Sequence, residues 1–241
     1  MGFESTLKEM GLDRYDRNAR LRPALLVILP ALLLVAIWYP NVWTTFGALA
    51  SLLIACGATF LLGQIARQRG RRLEARWGSA IGKPHSATLL THSDATLPEA
   101  SKARYHAYLT GRGISISTAA QERRDPAKAH SQCVSAVEWL LEHTRGDADK
   151  SLLLDENIAY GFRRNLLGLK PVALTILALA SLCNAGLLWI GGLASPRFEA
   201  GMVLGLAYLV ALAIWIFWVN KAFVTDASLA YARRLLAQCD K

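Results

Sequence analysis

Apolar positions run without a charge over three stretches of the chain. No Asp, Glu, Lys or Arg occurs from Pro23 to Ala66, from Pro171 to Pro196, or from Ala200 to Asn220. A hydrocarbon core of roughly 30 Å is crossed by about 20 apolar helical residues. The first stretch is about twice that length and is interrupted by Tyr39-Pro40-Asn41, so it predicts two spans, 23–39 and 42–65, joined by a tight turn. The other two stretches predict one span each, 171–194 and 200–220, separated by Arg197-Phe198-Glu199. The pattern predicts an all-α membrane protein with two transmembrane helical hairpins, 23–66 and 171–220, flanking a mostly helical cytoplasmic module at 67–170. Tails at 1–22 and 221–241 complete the chain.

Within the polar module the period is helical where it is clear. The second span is expected to continue as a basic helix through Arg67, Arg69, Arg71, Arg72 and Arg76, suited to anchoring on anionic lipid. Lys83 to Ser93 shows no clear period and reads as loop or short strand. Thr96-Leu97-Pro98-Glu99 predicts a helix start, with Gly111 and Gly113 as its stop. Asp125-Pro126 is a stronger start, Asp as cap and Pro in the first turn, for a helix reaching about Thr144 and ending near Gly146. Ala127, His130, Val134, Val137 and Leu141 recur along it at helical spacing, with Cys133 and Leu140 alongside, and predict one packed face. A last module helix, Leu154 to Leu167, leads through Gly168-Leu169-Lys170-Pro171 into the third span with no flexible linker, so that movement of the module would pull on that span. Gly113 to Ser117 is the one strand candidate.

Charge sets the expected orientation. The formal net charge is +9, and 67–170 carries 17 Lys or Arg against 11 Asp or Glu. Both tails are basic, whereas the hairpin tips carry only Arg197. The positive-inside rule then places both termini and the module in the cytoplasm, in a multi-pass inner (plasma) membrane protein. Trp38, Tyr39, Trp43, Trp189, Trp215 and Trp218 stand where interfacial aromatic anchors are expected.

Inside the spans the polar inventory is short. Pro30 removes a hydrogen bond to the Leu26 carbonyl and predicts a kink, either a gate or a packing feature. Gly201 and Gly205 are spaced for close helix approach, and Ser181 and Asn184 share one side of the third span, where they either line a wet path or bond a neighbouring helix. No ionisable residue lies within a predicted span, which argues against proton relays and ion-coupled transport.

Enzymatic signatures are sparse. The histidines His85, His92, His106, His130 and His143 form no HxxH or HxxxH pair, and there is no CxxC, so neither metal nor cofactor is expected. Phosphate-loop, GxSxG and kinase motifs are absent. Arg124 and His130 match the loose spacing of HEPN ribonucleases, in which Arg would hold phosphate charge and His the proton.

The candidate ligand-binding residues are basic and aromatic. Lys102 and Arg104 alternate with Tyr105 and Tyr108, Arg123 and Arg124 precede a helix start, and Arg163 and Arg164 lie near the membrane entry. Such sets suit nucleotides or short single strands. The layout of hairpin, cytoplasmic module and hairpin resembles the four-span effectors of bacterial antiphage systems that respond to nucleotide or oligonucleotide signals. That resemblance is one of architecture. It implies a homo-oligomeric pore opened by an anionic ligand bound to the module, with membrane lipid and a signalling partner as further contacts. A scaffold that recruits a cytoplasmic partner and a membrane-tethered ribonuclease are the competing readings.

Overall fold

A computed structural model describes residues 14–39, 44–144 and 151–240. The turn expected at Tyr39-Pro40-Asn41, most of the N-terminal tail and the helix end expected near Gly146 lie outside the described residues. Every regular element among the described residues is helical. These are α1 (Arg14–Trp38), α2 (Thr45–Trp77), α3 (Gly82–Leu90), α4 (Glu99–Gly111), α5 (Ala119–Arg124), α6 (Pro126–His143), α7 (Ser151–Gly191), α8 (Phe198–Trp218) and α9 (Lys221–Leu236). Arg17–Leu21 of α1 and Ile214–Trp218 of α8 are wound as π-helix.

Among the described residues, three helices are long and apolar enough to cross a membrane: α1, the Leu152–Gly191 part of α7, and α8. Their outward faces are strongly apolar, with Trp189 89% exposed and Ile190 83%. Exposure on that scale is foreign to a water-facing surface and suits lipid.

The chain divides into two units, one holding the described residues up to Arg72 with Gly161–Phe223, the other Leu73–Tyr160 with Val224 onward. Helices α2 and α7 supply residues to both without a break. The first unit has a core of Ala24, Val27, Leu62, Leu169, Leu177 and Leu204 among others. Small residues let its helices close up. A Cβ on Gly168 of α7 would stand 3.0 Å from the Gly70 nitrogen of α2, and one on Gly161 would stand 2.6 Å from the Tyr15 hydroxyl of α1. Between these glycines Asn165 is fully buried, and its Nδ2 donates to the Ala19 carbonyl, 2.7 Å away, in the π-helical turn.

Polar groups expected in the spans serve this packing. Asn184 is buried, accepting from Trp38 Nε1 and donating to the Gly201 carbonyl, each at 2.9 Å. A Cβ on Gly201 would come within 2.7 Å of the Trp38 ring, and one on Gly205 within 3.3 Å of Asn184. Ser181 donates to the Leu177 carbonyl of its own helix, 2.7 Å away. Trp38 therefore points into the helix packing, not to an interface, while Trp218 is exposed and fits the anchor role. Pro30 stays within helix, and its carbonyl accepts from the Tyr208 hydroxyl at 2.6 Å.

In the second unit several expectations of local structure are corrected. Lys83 to Ser93 is not loop or strand: most of it is α3. Its hydroxyls are absorbed locally, Thr88 Oγ1 donating to the Pro84 carbonyl at 2.9 Å, so Ser and Thr do not break it. Gly113 to Ser117 is not a strand either, because no other strand is present among the described residues to pair with it. Gly113, at φ +81, begins it as the stop of α4, with Gly113 N–H donating to Thr110 and Ile114 N–H to Leu109, the Schellman pattern. The Asp125 start is as read, its carboxylate accepting from Lys128 N–H at 3.0 Å. The packed face of α6 is rotated from the expected one: Ala129, Cys133, Ala136, Val137 and Leu140 are buried, and Ala127 is exposed. Helix α9, expected as tail, packs within this unit, Tyr231 stacking on Tyr160 with ring centroids 6.0 Å apart.

Gly82 is the conformational pivot of α3. It stands at φ +70, and a Cβ there would meet the Glu74 carboxylate and come within 2.9 Å of the Tyr160 hydroxyl. Gly82→Ala is therefore expected to cost about 2 kcal/mol or more, read as an earlier unfolding midpoint of the full chain.

Candidate functional site

A buried lysine and a buried glutamate line an open hollow of the second unit. Thr91–Asp94 follows α3 as an irregular loop, and both charges are spent on its main chain. Lys102, 4% exposed on α4, donates from Nζ to the Thr91 carbonyl at 2.8 Å and to the Asp94 carbonyl. Glu122, 7% exposed on α5, accepts from His92 N–H at 2.7 Å and Ser93 N–H at 2.9 Å. Charge-assisted bonds of this kind are worth roughly twice neutral ones. Two costly buried charges thus hold one short loop from opposite sides.

The positions follow from local sequence. Thr118 and Gln121 form a reciprocal capping box that starts α5, which sets Glu122 in its first turn. Lys102 lies one turn into α4, which begins at Glu99. The Thr91–Asp94 loop gives His92 and Ser93 to the lining of an open cleft of about 850 Å³, with Ala103, His106 and Arg123 also among its lining residues. That volume lies within the range of small-ligand sites, about 300–1,000 Å³.

Two histidines meet in the cleft. The rings of His92 and His106 are edge to face, 4.7 Å between centroids. His92 Nε2 lies 3.0 Å from the Ser117 carbonyl and His106 Nε2 2.7 Å from the Leu90 carbonyl. A carbonyl can only accept, so each Nε2 carries the hydrogen. Burial depresses the His106 pKa, and the charges of His92 and Lys102 push the same way, against its bond to Leu90 and the Glu122 carboxylate. Burial would raise the Glu122 pKa, but the bonds from Ser93 and the two amides outweigh it and the net shift is downward. The nearby Cys133 thiol is pushed up to about 11 by burial, so it is no nucleophile.

These shifts give a signed pH dependence. His106 and His85, both depressed by burial, contribute stability that is intact above about pH 6.5 and lost as pH falls toward their folded values. Glu122 adds a second loss, beginning below the ordinary carboxyl value of 4.5 and completed through its lower folded pKa. Urea midpoints of the wild-type chain are therefore expected to fall in two stages on acidification. A midpoint unchanged between pH 7.5 and 5.5 would contradict the burial of the two histidines.

The other sequence candidates are dispersed. Arg104 is exposed and paired with Asp240, Nε to Oδ1 3.0 Å. Tyr105 is buried, and Tyr108 lies under the Arg112 guanidinium at 5.1 Å. Arg124 lines a smaller hollow of about 220 Å³ with Gln121, Lys128 and Gln132; His130 lines neither hollow. In the first unit Arg163 stacks on Phe223 at 4.6 Å and donates to its carbonyl at 3.1 Å, and Arg164 lies beside Gly70. Of the eight, the cleft gathers Arg123 and Lys102. His92, His106 and Glu122 were not singled out, since no local motif announces residues that meet only after a loop is folded back. The described residues hold no cluster of three or more metal-ligating side chains. Comparison with protein families, with curated proteins and with solved structures returns no match to this chain.

Proposed function

We propose that this chain is a membrane receptor and effector: the second unit binds a small anionic ligand in the His92–Arg123 cleft, and the apolar helices assemble in several copies into a pore that the ligand opens. The cleft carries the reading, because two buried charges fix its loop and Arg123 presents a cation at its lining. Continuous α2 and α7 give a route by which a ligand with unequal affinity for two states would shift the gate. The ligand class is a nucleotide or short oligonucleotide, with phosphate at Arg123 and a base against Ala100 and Ala103. Lys102, Arg104, Arg163 and Arg164 leave the ligand set, Lys102 supporting the loop and the others engaged elsewhere.

In this reading four spans cross the inner membrane, Thr45 to Gln64 of α2 being the fourth, with both termini and the second unit cytoplasmic. The test is bilayer recording and thermal shift on the solubilised full chain with a panel of nucleoside phosphates, cyclic dinucleotides and inorganic phosphate. One nucleotide is expected to raise the midpoint and open a conductance, and Arg123→Ala to weaken it about 10- to 100-fold. Conductance without ligand that Arg123→Ala leaves unaltered would sink the gated pore. Silent bilayers and a co-purifying soluble protein would favour the scaffold.

A further inference from the structure

On one face of α2 the exposed side chains change character along the helix axis. Leu53 is 73% exposed, Phe60 57% and Leu61 63%, and Gly57 between them has nothing within 4 Å of where a Cβ would stand. Continuing on the same face at helical spacing come Gln64, Gln68, Arg71 and Arg72, all exposed. From Leu53 to Gln64 the rise is about 16 Å, close to half of a roughly 30 Å hydrocarbon core. The apolar half of the stripe therefore has about the length of one leaflet's acyl region. Arg71 and Arg72 have no ion pair among the described residues.

We infer that this face is a binding site for an anionic phospholipid, its acyl chain in the Gly57 notch between Leu53 and Phe60, its headgroup phosphate on Arg71 and Arg72. The inference rests on the reading that α2 crosses the membrane. Guanidinium suits a phosphodiester because it gives two parallel N–H donors, and the neighbouring glutamine amides add donors to the glycerol oxygens. A free phosphate would use the arginines alone; only a lipid uses both halves of the stripe. The site also fixes which leaflet this end of α2 occupies, since the cytoplasmic leaflet is the more anionic one.

The test is native mass spectrometry of the solubilised full chain equilibrated with equal amounts of phosphatidylglycerol and phosphatidylcholine of the same acyl chains. Phosphatidylglycerol is expected to be retained in preference. The double variant Arg71→Gln, Arg72→Gln is expected to lower that retention about 25-fold, roughly fivefold per charge, leaving phosphatidylcholine unchanged. Arg71→Lys, Arg72→Lys is expected to fall between wild type and the Gln variant, keeping the charge and losing the paired donors. Equal retention of the two lipids, equal retention by wild type and the Gln variant, or displacement of phosphatidylglycerol by millimolar inorganic phosphate would each overturn the lipid site. An alkaline carbonate wash separates the two readings. Release of the protein from membranes would remove the span itself, whereas a retained protein without lipid preference removes only the site.

Discussion

Glu122→Gln is expected to destabilise the second unit by about 2–4 kcal/mol and to abolish ligand shifts in the cleft. The replacement keeps size and shape, so the effect is one of hydrogen-bond polarity. A carboxylate presents two acceptors to two amides, His92 N–H at 2.7 Å and Ser93 N–H at 2.9 Å. A glutamine presents one acceptor and one donor, which leaves one amide facing an N–H group in a buried place. Lys102→Met is expected to cost a similar amount, because the carbonyls of Thr91 and Asp94 lose the ammonium between them. The two variants should not add, since each alone frees the same loop. Hydrogen exchange at His92 and Ser93 reads the loop directly, and both amides are expected to lose protection in either variant. The pH profile gives an independent check. Wild type loses the Glu122 contribution as pH falls below about 4.5 and the Gln variant has none to lose, so their stabilities converge in acid. Parallel curves down to pH 3 would mean that Glu122 is not ionised in the folded loop.

What was legible in one dimension and what was not divides along physical lines. The lack of charge over Pro23 to Ala66 and Pro171 to Pro196 is a property of the string itself, so the apolar helices could be read directly. The Asp125 cap could be read for the same reason, being settled within three residues. The Thr118 and Gln121 capping box is equally local, and it would have located α5. Helix α3 was not legible, because its start needs Gly82 at positive φ and its stability comes from burying Ala87, Leu89 and Leu90. On α6 the period was right and the phase wrong: small Ala129 and Ala136 face inward where neighbouring helices come close, a choice that larger apolar residues at nearby positions disguise.

The cleft shows the same limit more sharply. Lys102 reads as an exposed ligand-binding cation because lysine is seldom buried. Its burial is decided by two carbonyls of a loop eight to eleven residues away along the chain. Asn184 left two roles open in the string, a wet path or a helix contact, and the Trp38 indole that decides between them comes from 146 residues away.

Gly168→Leu is the second large effect, expected to cost about 2–5 kcal/mol. The Cβ position of Gly168 lies 3.0 Å from the Gly70 nitrogen and 3.2 Å from the Arg69 carbonyl carbon, both main chain of α2. Main chain in mid-helix cannot rotate aside as a side chain can, so α2 and α7 must separate. Overpacking alone costs about 1–3 kcal/mol. Separation also disturbs Asn165, which fills the space beside Gly70 and donates to the Ala19 carbonyl. Losing a buried polar bond in an apolar setting adds about 1–2 kcal/mol. Gly168→Ala should show a smaller part of this, about 1–2 kcal/mol. Gly186→Leu is the matched control on the same helix, because a Cβ there meets nothing within 4 Å, and it should fall within about 0.5 kcal/mol of wild type. Thermal unfolding of the solubilised chain, followed by the loss of its size-exclusion peak, ranks the three. If Gly168→Leu melts with Gly186→Leu, α2 and α7 do not touch at their glycines. If it melts well below, the close approach of the two helices that run into the second unit is part of what holds the fold.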